Sequence, residues 1–290
     1  MQEAIEKVAN LGCFADPTDI EPLGGGITNV NLKVQDGEQS YVVRLGQDIP
    51  EHGVMRWNEL SLSQAGHKIG VSPEVIHHEP GVLVLEYIEA RTYGEEDVRS
   101  PDNLPRVIDL VSTVHRGLGV HLTTPVLSFW PYQVIRTYIS RLYADASAHS
   151  KVLPELLKQA AKLEAATGPV EMVIGHNDLL AANFLDDGNQ LWLIDWEYGG
   201  FNSPLFDLAG LAGNNGLSEE QERAILEQYF AQPADTRWRP YQSMKCASLM
   251  RETLWSMTSE IHSEIDFDYA AYTAENMSRL TSALNDFQNT

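Results

Sequence analysis

Cysteine is nearly absent from this sequence: the 290 residues include two, Cys13 and Cys246, far apart and without metal-ligand spacing. That excludes a disulfide framework and a cysteine zinc site, and it fits a reducing cytoplasm. Long apolar runs are missing too. The longest, such as Val82-Leu83-Val84-Leu85, are strand-sized, so no membrane insertion is expected. The opening MQEAIEKVAN carries acids and reads as an amphipathic helix rather than a basic-then-apolar signal peptide. Repeats and low-complexity tracts are absent. Positive charge is scarce: 20 Lys and Arg stand against 41 Asp and Glu, a formal net charge of −21. Such a chain repels phosphate backbones, which excludes nucleic acid as a partner. The acidity serves solubility, and its field would also draw a cationic ligand.

What is present is an ordinary globular balance, 43% hydrophobic and 21% charged, in a length that suits two lobes sharing a cleft. Residues 1–89 read as short strands around one helix. Gly24-Gly25-Gly26 signals a turn, and strands are expected over 27–34, 40–45, 74–78 and 82–88. Asp36-Gly37 and Glu79-Pro80-Gly81 supply hairpin turns. Residues 52–68 are helical in composition and end at Gly70-Val71-Ser72-Pro73. Residues 90–290 are mostly helical: 101–117, 131–149 and 154–166, then a strand–loop–strand over 170–195, then helices from 218 onward. The expected fold class is α+β, with a small antiparallel sheet-plus-helix lobe over 1–89 and a larger, mostly helical lobe over 90–290. The hinge would lie near Glu86-Tyr87-Ile88-Glu89.

The strongest chemical signal is His176-Asn177-Asp178-Leu179-Leu180-Ala181-Ala182-Asn183. Phosphoryl transfer needs a carboxylate to orient a hydroxyl and accept its proton, and an oxygen ligand close by for magnesium. Asp178 and Asn183, five residues apart, can supply both and match the catalytic-loop pattern of kinases. An apolar strand, 190–194, then ends in Asp195, a natural second magnesium ligand. Each residue alone reads as a turn cap; the ordered set reads as chemistry. His176 reads as a hydrogen-bonded scaffold residue. In the small lobe, Gly24-Gly25-Gly26-Ile27-Thr28-Asn29 would let backbone N–H groups approach phosphates. Arg44, a cation inside an apolar strand, sits where a kinase keeps its phosphate-binding lysine. Glu59 on the following helix would hold it. Bound magnesium and such local cations would offset the repulsion between an acidic protein and an anionic nucleotide.

At this point the chain resembles the aminoglycoside phosphotransferase and choline kinase superfamily, and within it the choline/ethanolamine kinase family. The residues that carry the resemblance are the Gly-Gly-Ile-Thr-Asn turn with Arg44 in the next strand, and Ile194-Asp195-Trp196-Glu197-Tyr198-Gly199-Gly200 followed by Phe206-Asp207-Leu208. A third group is Glu252-Thr253-Leu254-Trp255-Ser256-Met257 with Ile265-Asp266-Phe267-Asp268-Tyr269. It spans about residues 23–284. The resemblance implies a bilobal, protein-kinase-like fold and ATP-dependent phosphorylation of a small, cationic amino alcohol, choline or ethanolamine. It makes Asp178 the base, in contact with substrate, and Asn183 and Asp195 the ligands of Mg2+. Gly24, Gly25, Gly26, Thr28 and Asn29 would cover the phosphates, with Arg44 steadied by Glu59. The backbone of Glu86, Tyr87 and Ile88 would meet the adenine. Tyr198, Trp255 and Tyr269 would give aromatic faces to the substrate cation, although Trp255 and Tyr269 equally fit a helix core. A homodimer is compatible with the family.

Two departures stand out. Animal choline kinases carry a second tryptophan three residues before the one matching Trp255, where this chain has Glu252. They also carry an acid shortly after the Phe-Asp pair, where this chain has Gly213, Asn214 and Asn215. Glu252 is expected to supply the missing charge of a substrate cage. The rival readings are a kinase for an aminoglycoside, thiamine, methylthioribose or a sugar alcohol; a catalytically dead kinase-like binding protein; and a helical interaction protein with an acidic surface.

Overall fold

In the computed structural model, residues 1–24, 29–263 and 265–289 are described. The elements run α1 (Gln2–Ala9), β1 (Pro17–Leu23), β2 (Val30–Asp36), β3 (Gln39–Leu45), α2 (Arg56–Lys68), β4 (Val75–Glu79), β5 (Val82–Glu86) and β6 (Arg91–Thr92). Then follow α3 (Glu95–Arg99), α4 (Leu104–Gly117), α5 (Pro131–Ala144), α6 (Leu153–Thr167), β7 (Val173–Gly175), β8 (Phe184–Asp186), β9 (Leu191–Leu193) and β10 (Gly200–Asn202). The chain closes with α7 (Pro204–Asn215), α8 (Glu219–Phe230), α9 (Trp238–His262) and α10 (Tyr269–Gln288). This is the expected α+β class. Among the described residues, no helix is long and apolar enough to cross a membrane.

The chain packs as two compact units. The first holds Met1–Tyr93, Gly117–Val126 and Ala182–Glu197. Its sheet is antiparallel, in the order β1-β2-β3-β5-β4. Turn chemistry sets the register: Asp36 pairs with Gln39 across Gly37, whose φ of +62° suits glycine, and Glu79 pairs with Val82 across Gly81 at +75°. Alternation along the strands buries Val34, Val43 and Val84 completely, and α1 adds Val8. Each such side chain stabilises the fold by roughly 1.5–3 kcal/mol relative to exposure. Helix α2 starts four residues later than composition suggests, because Asp48 Oδ1 accepts the Arg56 backbone N–H at 2.7 Å and residues 49–54 form a turn. A smaller sheet, β6-β8-β9, completes the unit.

The second unit holds Gly94–Arg116, Leu127–Ala181 and Tyr198–Thr290. It is helical apart from the β7–β10 pair. Helix α5 ends at Ala144, short of the expected 149, because Ala146 turns to φ +50°. The 25-residue α9 lies at the centre, packed by α5, α6, α7 and α10. Most of it is buried, and several of its hydroxyls bond back to its own turns. Thr253 Oγ1 donates to Leu249 O at 2.8 Å, Thr258 Oγ1 to Leu254 O at 2.9 Å and Ser259 Oγ to Trp255 O at 3.0 Å. Serine and threonine can thus be buried without orphan donors.

Candidate functional site

In the first unit, strand alternation turns Arg44 inward, where it is 8% exposed. A guanidinium out of water needs counter-charges, and Arg44 has two. Its Nη1 donates to Glu59 Oε1 at 2.5 Å and to Asp195 Oδ1 at 2.6 Å. Burial alone would weaken its hold on the proton, but Asp195 and Glu59 outweigh that and raise its pKa. The expected Arg44–Glu59 pair is therefore present, with Asp195 as a third member.

Asp195 is aimed there by its neighbours. Trp196 is fully buried, and its indole N–H donates to Ser72 Oγ at 2.9 Å, which in turn donates to Leu193 O at 2.7 Å. A Cβ on Gly66 of α2 would lie 2.6 Å from Ser72 Oγ, so the close approach of α2 requires glycine. Asp195 itself adopts φ +70°, a costly conformation for a non-glycine residue. The backbone of Asn183 accepts the Ile194 N–H at 3.0 Å, which sets Asn183 beside the Asp195 turn. Glu197, two residues on, is buried; burial first and the charge of Asp195 second push its carboxyl up to about 7, against the pull of Arg44 and Arg56.

Arg56 ties this group together. Its Nη1 donates to Glu59 Oε2 at 2.7 Å and reaches Glu197 at 3.4 Å, Nη2 donates to Asn29 Oδ1 at 2.6 Å, and Nε donates to Gln47 O at 2.9 Å. Asn29 Nδ2 donates to Glu197 Oε2 at 3.1 Å. Gly25, Gly26 and Thr28 lie outside the described residues, and Gly24 directly follows β1. Of the residues expected at the adenine, Glu86 closes β5 and is exposed, and Tyr87 donates its N–H to Ser40 O at 3.2 Å. Ile88 follows, half-buried.

In the second unit, the segment around Asp178 is braced from four sides. Buried Asp207 accepts the backbone N–H of His176 at 2.8 Å and of Asn177 at 2.7 Å. Its Oδ2 also meets His115 Nε2 at 2.9 Å, and His115 Nδ1 meets Tyr229 Oη at 2.8 Å. Asn202 donates to Asn177 Oδ1 at 2.9 Å, and Asn177 donates to Tyr198 O at 2.9 Å. Asn215, in the stretch where an acid was missing, donates to Leu179 O at 3.0 Å. Asn177 sits at φ +66°, a turn that presents half-buried Asp178.

The expected aromatic group is assembled in the same unit. Trp255 donates its indole N–H to Tyr198 Oη at 3.0 Å, and Trp255 and Tyr269 pack edge to face at 5.9 Å. All three rings are buried, between 5% and 7% exposed. Glu252 does not stand open: Oε2 is paired with Arg251, and Oε1 accepts the Tyr272 hydroxyl at 2.9 Å. Sequence reasoning missed Arg56, His115 and Arg251 and assigned Asp207 no role. Arg56 had a signal, lying three residues before Glu59 on one helix face; His115 and Arg251 had none.

The described residues hold no cluster of three His, Cys, Asp or Glu suited to a metal. Asn183, set by its backbone beside the Asp195 turn, and Asp195 itself both carry hard oxygen donors, of the kind that fits magnesium completed by phosphate and water. In the first unit a buried cation lies between two acids, one of them a left-handed aspartate after an apolar strand, and in the second unit Asp178 sits on a braced turn; each is a feature that phosphoryl transfer uses. Comparison with known proteins agrees. The choline/ethanolamine kinase family model matches residues 20–219. A probable ethanolamine kinase of Arabidopsis thaliana is 26% identical over 289 residues, covering 87% of this chain and 76% of its own. The crystal structure of a choline/ethanolamine kinase family protein from Mesorhizobium loti, 26% identical, superposes with a TM-score of 0.78 over 98% of this chain and 94% of that one. The fold is shared with the choline kinase LicA from Streptococcus pneumoniae at 22% identity, with a TM-score of 0.77 over 98% of each chain. Since the family model spans more than half of the residues, this protein belongs to the choline/ethanolamine kinase family, phosphotransferases that use an alcohol group as acceptor.

Proposed function

We propose that the protein transfers the γ-phosphoryl of ATP to the hydroxyl of a small, cationic amino alcohol of the choline or ethanolamine class. The observation that carries this reading is Arg44, a buried cation gripped by both Glu59 and Asp195. Such a group can hold nucleotide phosphates while its own position is set by carboxylates. In the reaction, the substrate oxygen attacks the γ-phosphorus, the bond to the bridging oxygen breaks, ADP leaves, and the hydroxyl proton passes to Asp178. Asn183 and Asp195 would hold magnesium, which offsets charge on the phosphate oxygens when bound. Asn29, anchored by Arg56 and Glu197, would steady the turn over the phosphates, and the backbone of 86–88 would meet the adenine. Positioning and electrostatics would supply most of the catalysis. The two free cysteines suit a cytoplasmic location.

The test is alcohol-dependent ADP release with MgATP against choline, ethanolamine, thiamine, methylthioribose and kanamycin. Turnover confined to amino alcohols supports the reading. Turnover with thiamine, methylthioribose or kanamycin alone would overturn the acceptor class, and none with any alcohol would overturn the activity.

A further inference from the structure

One buried charge has no part in that reaction. Arg251, on α9 one turn before Trp255, is 5% exposed. Its Nη1 donates to Glu252, and its guanidinium carbon lies 4.5 Å from the centre of the Tyr198 ring and 5.7 Å from that of Phe129. Its Nε is shut off from water and, among the described residues, has no hydrogen-bond partner. Burial opposes its charge, while Glu252, Tyr198 and Asp178, in that order, sustain it.

A quaternary ammonium has no N–H to donate. Aromatic faces and carboxylates recognise it. Here both are taken by a resident cation. Arg251 stacks on Tyr198, whose hydroxyl already accepts the Trp255 indole. The oxygens of Glu252 are engaged by Arg251 and Tyr272. A second cation on the same ring would meet a like charge in a site with little water to screen it. What Arg251 lacks among the described residues is an acceptor at Nε: a guanidinium carries five donors in a planar fork, and this one is unpaired. Such a donor matches an oxyanion, and a buried donor without a partner is costly until one arrives.

We propose that Arg251 sets acceptor specificity, disfavouring a trimethylammonium head and favouring an amino alcohol that also carries a carboxylate, which its unpaired Nε would bind. The inference rests on the phosphotransferase reading and moves its acceptor from a cationic to a zwitterionic amino alcohol.

The experiment is kcat/KM of the wild type, by ADP release with MgATP, for L-serine, ethanolamine and choline. L-Serine is expected to exceed choline by about tenfold or more. A double variant, Arg251→Met with Glu252→Gln, removes both charges so that neither is left buried alone. It is expected to lower kcat/KM for L-serine by about tenfold and to raise that for choline. Arg251→Lys keeps the charge without the fork and should lower L-serine turnover without raising that of choline. The wild-type order decides the matter even if a variant fails to fold. Choline or ethanolamine turned over in preference to L-serine overturns this inference and leaves the kinase reading standing. No alcohol-dependent ADP release with any of the three removes the reading beneath it as well.

Discussion

The Arg56 guanidinium donates to the side-chain carbonyl of Asn29 at 2.6 Å. The contact joins the start of α2 to the residue that leads into β2, and it leaves no space for a side chain between them. A Cβ on Gly46 would fall 2.3 Å from Asn29 Oδ1 and 3.0 Å from Arg56 Nη2. Arg56 is therefore a positioning residue for the turn proposed to cover the phosphates. Arg56→Lys keeps the charge but cannot serve Asn29, Glu59 and Gln47 at once. Losing one charge-assisted bond of about 1.5–3 kcal/mol should raise KM for ATP roughly tenfold or more. The value of kcat should change less. Gly46→Ala, which pushes on the same contact, should move KM in the same direction. Steady-state kinetics with varied ATP checks both, and an unchanged KM in the two variants would remove Arg56 from the site.

Asp178→Asn keeps the shape of the side chain and removes the proton acceptor. Its backbone neighbours are held by Asp207, Asn202 and Asn215, so the loop should persist. The expected result is a kcat lowered by about 10²–10⁴-fold, with ATP affinity within a few-fold of wild type. Single-turnover kinetics and calorimetric nucleotide binding test the two halves. A kcat near that of wild type would deny Asp178 the role of base.

The parts of this fold legible in the sequence are those set by local chemistry. Asp36-Gly37 and Glu79-Pro80-Gly81 place the hairpins because glycine supplies the positive φ each turn requires. Arg44 and Glu59 were legible as a pair because a strand followed by a helix brings them to one core. Arg56 was not, because its partners sit at positions 29, 47, 59 and 197, and no periodic pattern links those numbers. The aromatic group shows the same limit. Tyr198, Trp255 and Tyr269 could be named from motif positions, but which cation lies on which ring depends on how α9 is rotated, and Arg251 rather than open space faces Tyr198. Helix α9 also misleads pattern reading, since its buried serines and threonines bond to their own backbone and erase the apolar stripe.

The two cysteines should differ sharply in reactivity. Cys246 is fully buried on α9, and burial pushes its thiol up to about 12, with Lys245 pulling it down and Asp286 pushing it up more weakly. Cys13 is half-buried, and burial raises its pKa too, but it keeps access to solvent. The thiolate is the reactive form. Native protein treated with a disulfide reagent at pH 8 is expected to lose the Cys13 thiol slowly and to retain Cys246. Cys246 should react only after unfolding in denaturant. Rapid labelling of both in native protein would mean that α9 opens readily.

Acid should release the brace behind Asp178. Asp207 is buried, and burial pushes its carboxyl up, but the hydrogen bond from His115, the charges of His115 and His176, and the His176 N–H outweigh that and hold it below the ordinary range. A folded-state pKa below the unfolded value of about 3.9 stabilises the protein above that pH, and the contribution is lost as pH falls through the lower folded value. Asp207→Ala leaves two buried backbone N–H groups without acceptors and should cost roughly 3 kcal/mol or more at pH 7. Asp207→Asn keeps one acceptor, cannot ionise, and should cost less. Denaturant unfolding from pH 7 to pH 2.5 separates the cases. The stability gap between wild type and Asp207→Asn should stay constant down to about pH 4 and shrink below it. A gap independent of pH to the acid limit would mean that the Asp207 charge contributes nothing and that only its shape holds the loop.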